Sequence, residues 1–308
     1  MSGPATPGAP PRAGSVIHDR YELVEKIGEG GMAVVYRAND RSSGEVVALK
    51  ILLPELLDDA TSMARLRQEA ELGARLTHPN LCRILYFREA PDASYVVMPL
   101  FEGEPLFDRV LRLGQLPLDV TVSLVGDLAG GLGAAHELGI IHRDLKPENV
   151  MIVGNDDGTE RAVLLDFGLA AVRRLTPATH KLTQTGMVVG TPEFMSPEQM
   201  CGRPLDRRSD IYSLAFMAYE MLTGRLPFEG NTLREMANAR VKGELIPIHR
   251  RRPDLDMPNA VERVFERALA VKPEDRYATA PEFAAALAKA SRKGGGLAAR
   301  LGWNRDRA

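Results

Sequence analysis

The sequence predicts an α+β protein whose first part is a small antiparallel β-sheet carrying one helix and whose second part is mainly helical. Short β-rich runs, punctuated by glycines and polar residues, occupy residues 21 to 100, and helical patterns dominate after Gly103. The chain has 308 residues, of which 44% are hydrophobic and 26% are charged. That composition is typical of globular proteins, and the length suits one large domain or two modest lobes.

Charge and cysteine content exclude several classes of protein. A formal net charge of -2 gives no general attraction to nucleic acid. Cys82 and Cys201 lie far apart without metal-ligand spacing, as expected of thiols in a reducing compartment. No uninterrupted apolar run approaches the roughly 18 residues that cross a bilayer, and the amino terminus lacks a signal-peptide core. We therefore expect a cytoplasmic protein with no membrane segment and no nucleic-acid partner.

The first part begins with a segment rich in Pro, Gly, Ala and Ser, and we predict a flexible tail over residues 1–18. One helix is predicted over Thr61–Leu76, where apolar residues recur on one face. Alternating and apolar β-branched runs predict five strands, at Tyr21–Ile27, Val34–Ala38, Val46–Leu52, Cys82–Phe87 and Ser94–Met98.

The second part contains one predicted hairpin and several helices. The turn Asn155–Gly158 separates the apolar runs Val150–Val153 and Ala162–Leu165, so these runs pair as strands. Residues 291–308, which include three consecutive glycines, are predicted to be a flexible tail. Helical periodicity predicts helices at Val120–Leu138, Ser209–Leu222, Thr232–Val241, Asn259–Ala270 and Ala280–Ala290.

A glycine-rich stretch, Gly28-Glu29-Gly30-Gly31-Met32-Ala33-Val34-Val35, lies between the first two predicted strands. Glycines let a backbone approach a phosphate and point N–H groups at it. A dinucleotide-binding fold requires a helix after such a loop, whereas a strand follows here. A P-loop requires Gly-Lys-Ser/Thr, which is missing. A plain glycine-containing hairpin stays open as the alternative.

Two further motifs carry charge next to apolar runs. Lys50 ends Val47-Ala48-Leu49-Lys50 on a predicted strand, and Glu69 on the predicted helix is its best partner; a solvated edge lysine is the alternative. Asp166 begins Asp166-Phe167-Gly168 directly after a strand, where it could hold a hard cation. The predicted hairpin would bring Asn149 near Asp166.

The stretch His142-Arg143-Asp144-Leu145-Lys146-Pro147-Glu148-Asn149 combines a base, a cation and an amide in one loop. Taken with the other motifs in this order, and with the later Ser196-Pro197-Glu198, the chain resembles the catalytic domain of the eukaryotic-type serine/threonine protein kinases of bacteria. The resemblance covers about residues 21–290. It implies a bilobal protein-kinase fold, with an N-lobe at 19–100 and a C-lobe at 104–290.

By this resemblance, the enzyme transfers the γ-phosphoryl group of ATP to Ser/Thr hydroxyls of protein substrates. Asp144 would accept the proton of the substrate hydroxyl, and Lys146 would neutralise the γ-phosphate. Asn149 and Asp166 would bind Mg2+, or Mn2+ in its place. The residues implied in nucleotide binding are Ile27, Gly28, Glu29, Gly30, Gly31, Met32, Ala33, Val35, Ala48, Lys50, Glu69, Met98, Pro99, Phe101 and Met151.

The chain departs from the family pattern at three of its positions. Ala33 replaces the third loop glycine, a small change because only a methyl group is added. Pro99 stands where an acidic residue is usual, but proline keeps the carbonyl that would bind adenine. Phe101 would then supply the backbone N–H. Gly73 replaces a larger apolar residue, which would leave the helix carrying Glu69 loosely held.

The segment from Asp166 to Glu198 resembles an activation loop. Thr183 and Thr185 are its candidate phosphorylation sites, and a phosphate there would pair with Arg143. We expect autophosphorylation, with a transient kinase dimer as the means. Thr191 would position the substrate by bonding Asp144 and Lys146. For Thr183 and Thr185, the alternative is that they are ordinary polar loop residues.

The resemblance also implies two structural supports and leaves two rival functions. Glu198 is expected to pair with Arg276, and Asp210 to accept backbone N–H groups from the turn at residues 142–144. His142 would then be a packed residue rather than a catalyst. A pseudokinase would normally lack one of Lys50, Asp144, Asn149 or Asp166, and all four are present. A small-molecule kinase is disfavoured by Ser196-Pro197-Glu198 and Gly190-Thr191.

Overall fold

The computed structural model describes residues 11–30, 33–53, 63, 67, 70, 71, 73–90, 93–165 and 194–292. The chain divides into two compact units, one of residues 1–102 with 165–190 and one of residues 103–164 with 191–308. The division after Glu102 falls between the predicted lobe boundaries. The antiparallel sheet in the first unit and the helices in the second confirm the predicted fold class.

The first unit is a six-stranded antiparallel sheet in the order β1-β2-β3-β4-β6-β5. β4 has the predicted bounds, whereas the predicted strand at Cys82–Phe87 begins only at Tyr86. In the predicted helix over 61–76, every described residue up to Arg75 is helical. The strands are β1 Val16–Ile17, β2 Tyr21–Glu29, β3 Ala33–Asp40, β4 Val46–Leu52, β5 Tyr86–Arg88 and β6 Tyr95–Pro99.

The boundary predicted for the amino-terminal tail is wrong for residues 11–18. β1 pairs with β2, and Ile17 lies opposite Tyr21. The hydroxyl of Tyr36 donates a 2.6 Å hydrogen bond to the carbonyl of Pro11. The composition of this segment concealed these contacts, because pairing with β2 supplies the order that its own few apolar residues do not.

The two faces of this sheet have different roles. Tyr36, Leu49 and Val97 belong to a buried apolar cluster that fills one face. Because side chains alternate along a strand, the residues between them face the other way. The cluster consists of Ile17, Tyr21, Leu23, Val34, Tyr36, Ala38, Val47, Leu49, Ile51, Tyr95 and Val97.

The second unit contains a three-stranded sheet and, within its described residues, eight α-helices. Strands β7 Glu104–Pro105, β8 Val150–Gly154 and β9 Glu160–Leu164 are antiparallel, and β8 and β9 form the predicted hairpin. The helices are α1 Leu106–Leu113, α2 Leu118–Glu137, α3 Pro197–Met200, α4 Arg208–Thr223, α5 Leu233–Lys242, α6 Ile248–Arg251, α7 Asn259–Ala268 and α8 Ala280–Arg292.

Helix α4 is the centre of this unit. Every residue from Ser209 to Thr223 is buried except Glu220. Phe216 packs edge-on against Phe194 at 5.2 Å and stacks on Phe228 at 6.0 Å between ring centroids. The helix ends at Gly224, whose φ of 64° is the left-handed conformation that glycine adopts without strain. An element this enclosed is a rigid base for the polar groups it carries.

Helix α2 forms despite four glycines because its apolar side is buried. It packs against α4, α8 and β9, with Leu124, Leu128 and Leu132 almost fully enclosed. With 20 residues, it is also long and apolar enough to count as a candidate membrane span by length and composition. A buried core helix meets the same criterion, so the expected absence of a membrane segment stays a prediction.

Candidate active site

The loop at residues 142–149 has an unusual backbone at Arg143. Its φ of 67° is left-handed, which costs a non-glycine residue about 1–2 kcal/mol. A 3-10 turn over Pro147–Asn149 follows and leads into β8. Such a conformation persists only where surrounding contacts hold it.

Asp210, at the start of α4, supplies one of these contacts. Its carboxylate, 1% exposed, accepts hydrogen bonds of 2.8 Å from the backbone N–H groups of His142 and Arg143. This confirms the expected support. The carboxylate also bonds Nε2 of His136 at 2.7 Å, a partner that the sequence reasoning missed. The backbone N–H of Asp144 is instead 3.3 Å from Nδ1 of His142.

His142 is buried, with 2% of its surface exposed. Its ring bonds the loop backbone, so it packs inside the loop rather than facing a substrate. This agrees with its assignment as a packed residue.

Asp144, Lys146 and Asn149 converge within the second unit. The ammonium of Lys146 lies 3.5 Å from Oδ2 of Asp144. The amide Nδ2 of Asn149 donates to the same Oδ2 at 3.0 Å and to the backbone carbonyl of Asp144 at 2.7 Å. These contacts hold the carboxylate in one orientation beside a fixed positive charge.

The same geometry tests whether Asn149 fits a metal. The amide nitrogen of Asn149 is directed at Asp144. The side-chain oxygen of Asn149 makes no hydrogen bond within the described residues and points away from Asp144. Amide oxygens suit hard divalent cations, so Asn149 fits the predicted role. The described residues contain no cluster of three or more His, Cys, Asp or Glu that could hold a metal, and Asp166 lies outside them.

Glu198 and Arg276 form the expected buried pair. Two hydrogen bonds, of 2.7 and 2.8 Å, join the guanidinium to the carboxylate, and Ser209 donates a third at 2.6 Å. Burial alone would raise the pKa of Glu198, but these hydrogen bonds outweigh it and hold the pKa below its usual value. The pair fixes α3 to the helices that follow.

Gln199, on the same short helix, was missed. Ser196 and Gln199 form a capping box, and the Ser-x-x-Gln spacing was the signal that could have found it. Gln199 also donates from Nε2 to the backbone carbonyl of Arg143 at 2.7 Å. No local pattern predicts that contact, because 56 positions separate the two residues.

In the first unit, four predicted nucleotide-binding residues share one face of the sheet. Val35 lies opposite Lys50 on β3 and β4, and Ala48 lies opposite Met98 on β4 and β6. Ala48 and Lys50 are two positions apart, so all four side chains are on the same side, opposite the buried cluster. An apolar surface bordered by one lysine suits a planar ring that carries phosphates.

The glycine loop connects β2 to β3 and is described up to Gly30 and again from Ala33. A Cβ placed on Gly30 would meet no heavy atom of the described residues within 4 Å, and the φ of Gly30 is not left-handed. The protein itself therefore does not require glycine here, which fits a loop whose glycines leave room for a phosphate.

The remaining predicted nucleotide-binding residues lie in both units. Ile27 and Glu29 are exposed on β2, and Pro99 ends β6 opposite Val47. Phe101 follows β6, and Met151 is on β8 in the second unit. The predicted site residues outside the description are Gly31, Met32, Glu69, Asp166, Thr183, Thr185 and Thr191, so the Lys50–Glu69 pair stays a prediction.

A small antiparallel sheet, a mainly helical second unit and a loop that brings Asp144, Lys146 and Asn149 together are the features expected of the protein-kinase class. The family model described as "Protein kinase domain" matches residues 21–287, so the chain belongs to the protein kinase family. It is 40% identical over 283 residues to serine/threonine-protein kinase pkn3 of Myxococcus xanthus, covering 92% of this chain and 52% of that protein. PknB of Mycobacterium tuberculosis is 37% identical over 279 residues, covering 89% and 43%.

Solved structures agree. The PknI kinase domain of Mycobacterium tuberculosis matches with a TM-score of 0.70 at 26% identity, over 91% of this chain and 99% of that one. Rad53, crystallised with AMP-PNP, matches with a TM-score of 0.70 at 25% identity, over 86% and 64%. The curated relatives confirm the resemblance to the serine/threonine protein kinases of bacteria. The chain spans about half the length of the curated relatives or less.

Proposed function

We propose that this chain transfers the γ-phosphoryl group of ATP to serine and threonine hydroxyls of proteins, with Asp144 orienting the hydroxyl. The observation that carries the proposal is the carboxylate of Asp144, held by Asn149 and placed 3.5 Å from the ammonium of Lys146. Catalysis of phosphoryl transfer depends mainly on positioning and charge, and this loop supplies both.

Each residue has a distinct part in this mechanism. Asp144 accepts the hydrogen bond of the acceptor hydroxyl and receives its proton as the bond to phosphorus forms. Lys146 offsets negative charge on the transferred group. Asn149, through its side-chain oxygen, and Asp166 would hold two Mg2+ ions. When bound, the metal supplies positive charge at the phosphate oxygens.

Phosphate transfer from labelled ATP to a generic Ser/Thr peptide tests this assignment. We expect transfer by the wild type and a loss of at least about 100-fold in kcat for Asp144→Asn, in line with removal of a positioned base. Asp156→Asn, an exposed aspartate in the β8–β9 turn, is the matched control and should behave as wild type. Transfer that persists in Asp144→Asn would refute the role of Asp144.

We extend the proposal to metal use, regulation and location. Activity should depend on Mg2+, with Mn2+ as a substitute, and should vanish with a chelator. Arg143 supports control by phosphorylation, because its Nε is buried and has no hydrogen bond within the described residues. A phosphate on Thr183 or Thr185, added by a second copy in a transient dimer, would bond this guanidinium.

Phosphosite mapping of active protein checks the regulatory step. We expect phosphate on Thr183 or Thr185 and lower activity after both are changed to alanine. Phosphate found only elsewhere would contradict it. A cytoplasmic location completes the proposal and is supported by the two free cysteines. Recovery of the protein in the membrane fraction would argue against it and would point to α2.

A further inference from the structure

The residue directly before Asp144 is held at both of its peptide groups. The N–H of Arg143 donates to Oδ1 of Asp210 at 2.8 Å, and its carbonyl accepts from Nε2 of Gln199 at 2.7 Å. Its φ of 67° is a conformation that a non-glycine residue leaves readily unless contacts hold it. Asp210 holds the N–H of Arg143 from the buried helix α4. Gln199 holds the carbonyl of Arg143 from a different element, the short helix α3.

Gln199 is well placed to hold this carbonyl because its own amide is fixed. Oε1 accepts hydrogen bonds from the N–H of Ser196 at 2.9 Å and from its hydroxyl at 3.0 Å. The helix that carries Gln199 is fixed in turn by the neighbouring Glu198, bonded to Arg276. The side-chain oxygen of Gln199 is therefore used at the N-cap of α3, and the side-chain N–H is directed at the loop.

The carbonyl of Arg143 belongs to the peptide bond that leads into Asp144. A rotation of that peptide plane changes the direction in which the side chain of Asp144 leaves the backbone. Asn149 holds Asp144 from the following side, through both its carbonyl and its carboxylate. Gln199 holds the preceding side, and without it the loop would keep only one of these two restraints.

We propose that Gln199 is a positioning residue for phosphoryl transfer, whose side-chain N–H fixes the Arg143 peptide and thereby the orientation of the Asp144 carboxylate. This rests on the proposed role of Asp144. The hydrogen bond from Gln199 also joins the catalytic loop directly to α3, the helix at the end of the predicted activation segment.

Gln199→Glu isolates this contact. Glutamate keeps an oxygen to accept from Ser196, so the capping box survives, but it replaces the donor with a second oxygen facing the Arg143 carbonyl. Gln199→Met is the uncharged variant of similar length. Ser209→Ala is the matched stability control, because it removes one hydrogen bond to Glu198 in the same anchor and leaves Arg143 untouched.

The wild type, these three variants and Asp144→Asn are compared by steady-state kinetics for ATP and peptide and by thermal unfolding. We expect Gln199→Glu and Gln199→Met to lower kcat about tenfold to a hundredfold, since misplacement of a reacting group by about 1 Å costs up to that much. KM for ATP and for peptide should stay within about twofold of wild type. Ser209→Ala should lower the melting temperature and keep kcat.

Several outcomes would overturn the inference. If the wild type is active, Asp144→Asn is inactive and both Gln199 variants keep the kcat of the wild type, the positioning role of Gln199 is refuted. The proposed function would still stand. A fall in Gln199→Glu alone would assign the effect to added charge. If Ser209→Ala lowers kcat as much as the Gln199 variants do for the same fall in melting temperature, the contact between Gln199 and Arg143 serves stability and does not position Asp144. An inactive wild type would overturn the proposed function and this inference with it.

Discussion

Replacing Arg276 by lysine measures how much the hydrogen bonds of its guanidinium contribute to the stability of the second unit. The guanidinium makes five hydrogen bonds, two to the carboxylate of Glu198 and three to backbone carbonyls of Ala270, Arg208 and Val271. Lysine keeps the charge but has only three donors, so at least two acceptors lose their partner. At about 1–3 kcal/mol for each stranded acceptor, the cost is roughly 2–6 kcal/mol.

Thermal unfolding of the wild type and Arg276→Lys at one scan rate measures this cost. At about 2–4 °C per kcal/mol, the value for domains of roughly 150–250 residues, the fall in melting temperature is roughly 4–24 °C. Arg112→Lys is the matched control, because its arginine pairs with Glu104 at the surface with 57% of its side chain exposed. There the same substitution should cost less than about 1 kcal/mol. Equal shifts in the two variants would refute the donor count as the source of stability.

Two other predictions concern the first unit. Hydrogen bonds from Arg20 hold the pKa of Asp40 well below its usual value, so Asp40 stabilises the fold above its unfolded pKa of about 4 and loses that effect as pH falls. The difference in urea stability between wild type and Asp40→Asn should therefore be larger at pH 7 than at pH 3, and equal differences would contradict it. Gly30→Ala should leave the melting temperature unchanged, since the added Cβ meets no atom within 4 Å in the part of the chain that the structure describes, but should raise KM for ATP severalfold. A lower melting temperature with unchanged KM would show that the protein, rather than the nucleotide, requires this glycine.

Local patterns predicted the elements whose burial is continuous. β4 is buried at five of its seven positions, and its predicted bounds match. The helix predicted at Ser209–Leu222 runs from Arg208 to Thr223 and ends before Gly224, as expected. Both segments bury residues on more than one side, so an apolar run marks them clearly.

Elements that depend on a partner were missed. The two residues of β1 have no pattern of their own, and only pairing with β2 makes them a strand. Helix α1 begins after Pro105 and buries only Leu106, while Leu111 is 72% exposed. A short helix with so small a buried face leaves little periodic signal. In the opposite sense, Cys82 and Ile84 are buried without forming a strand, so burial alone was misread as β-structure.

The site shows the same division between local and distant information. Asp144, Lys146 and Asn149 lie within six positions, so the motif that names them also brings them together. The backbone of Arg143, whose left-handed conformation sets the course of this loop, is instead held by Asp210, 67 positions away, and by Gln199, 56 positions away. A chain could keep every residue from 142 to 149, match the motif, and still lack one of these two restraints. In the mechanism proposed above, the rate of phosphate transfer therefore depends partly on residues outside the motif, and the Gln199 variants test this loop more sharply than further substitutions within it.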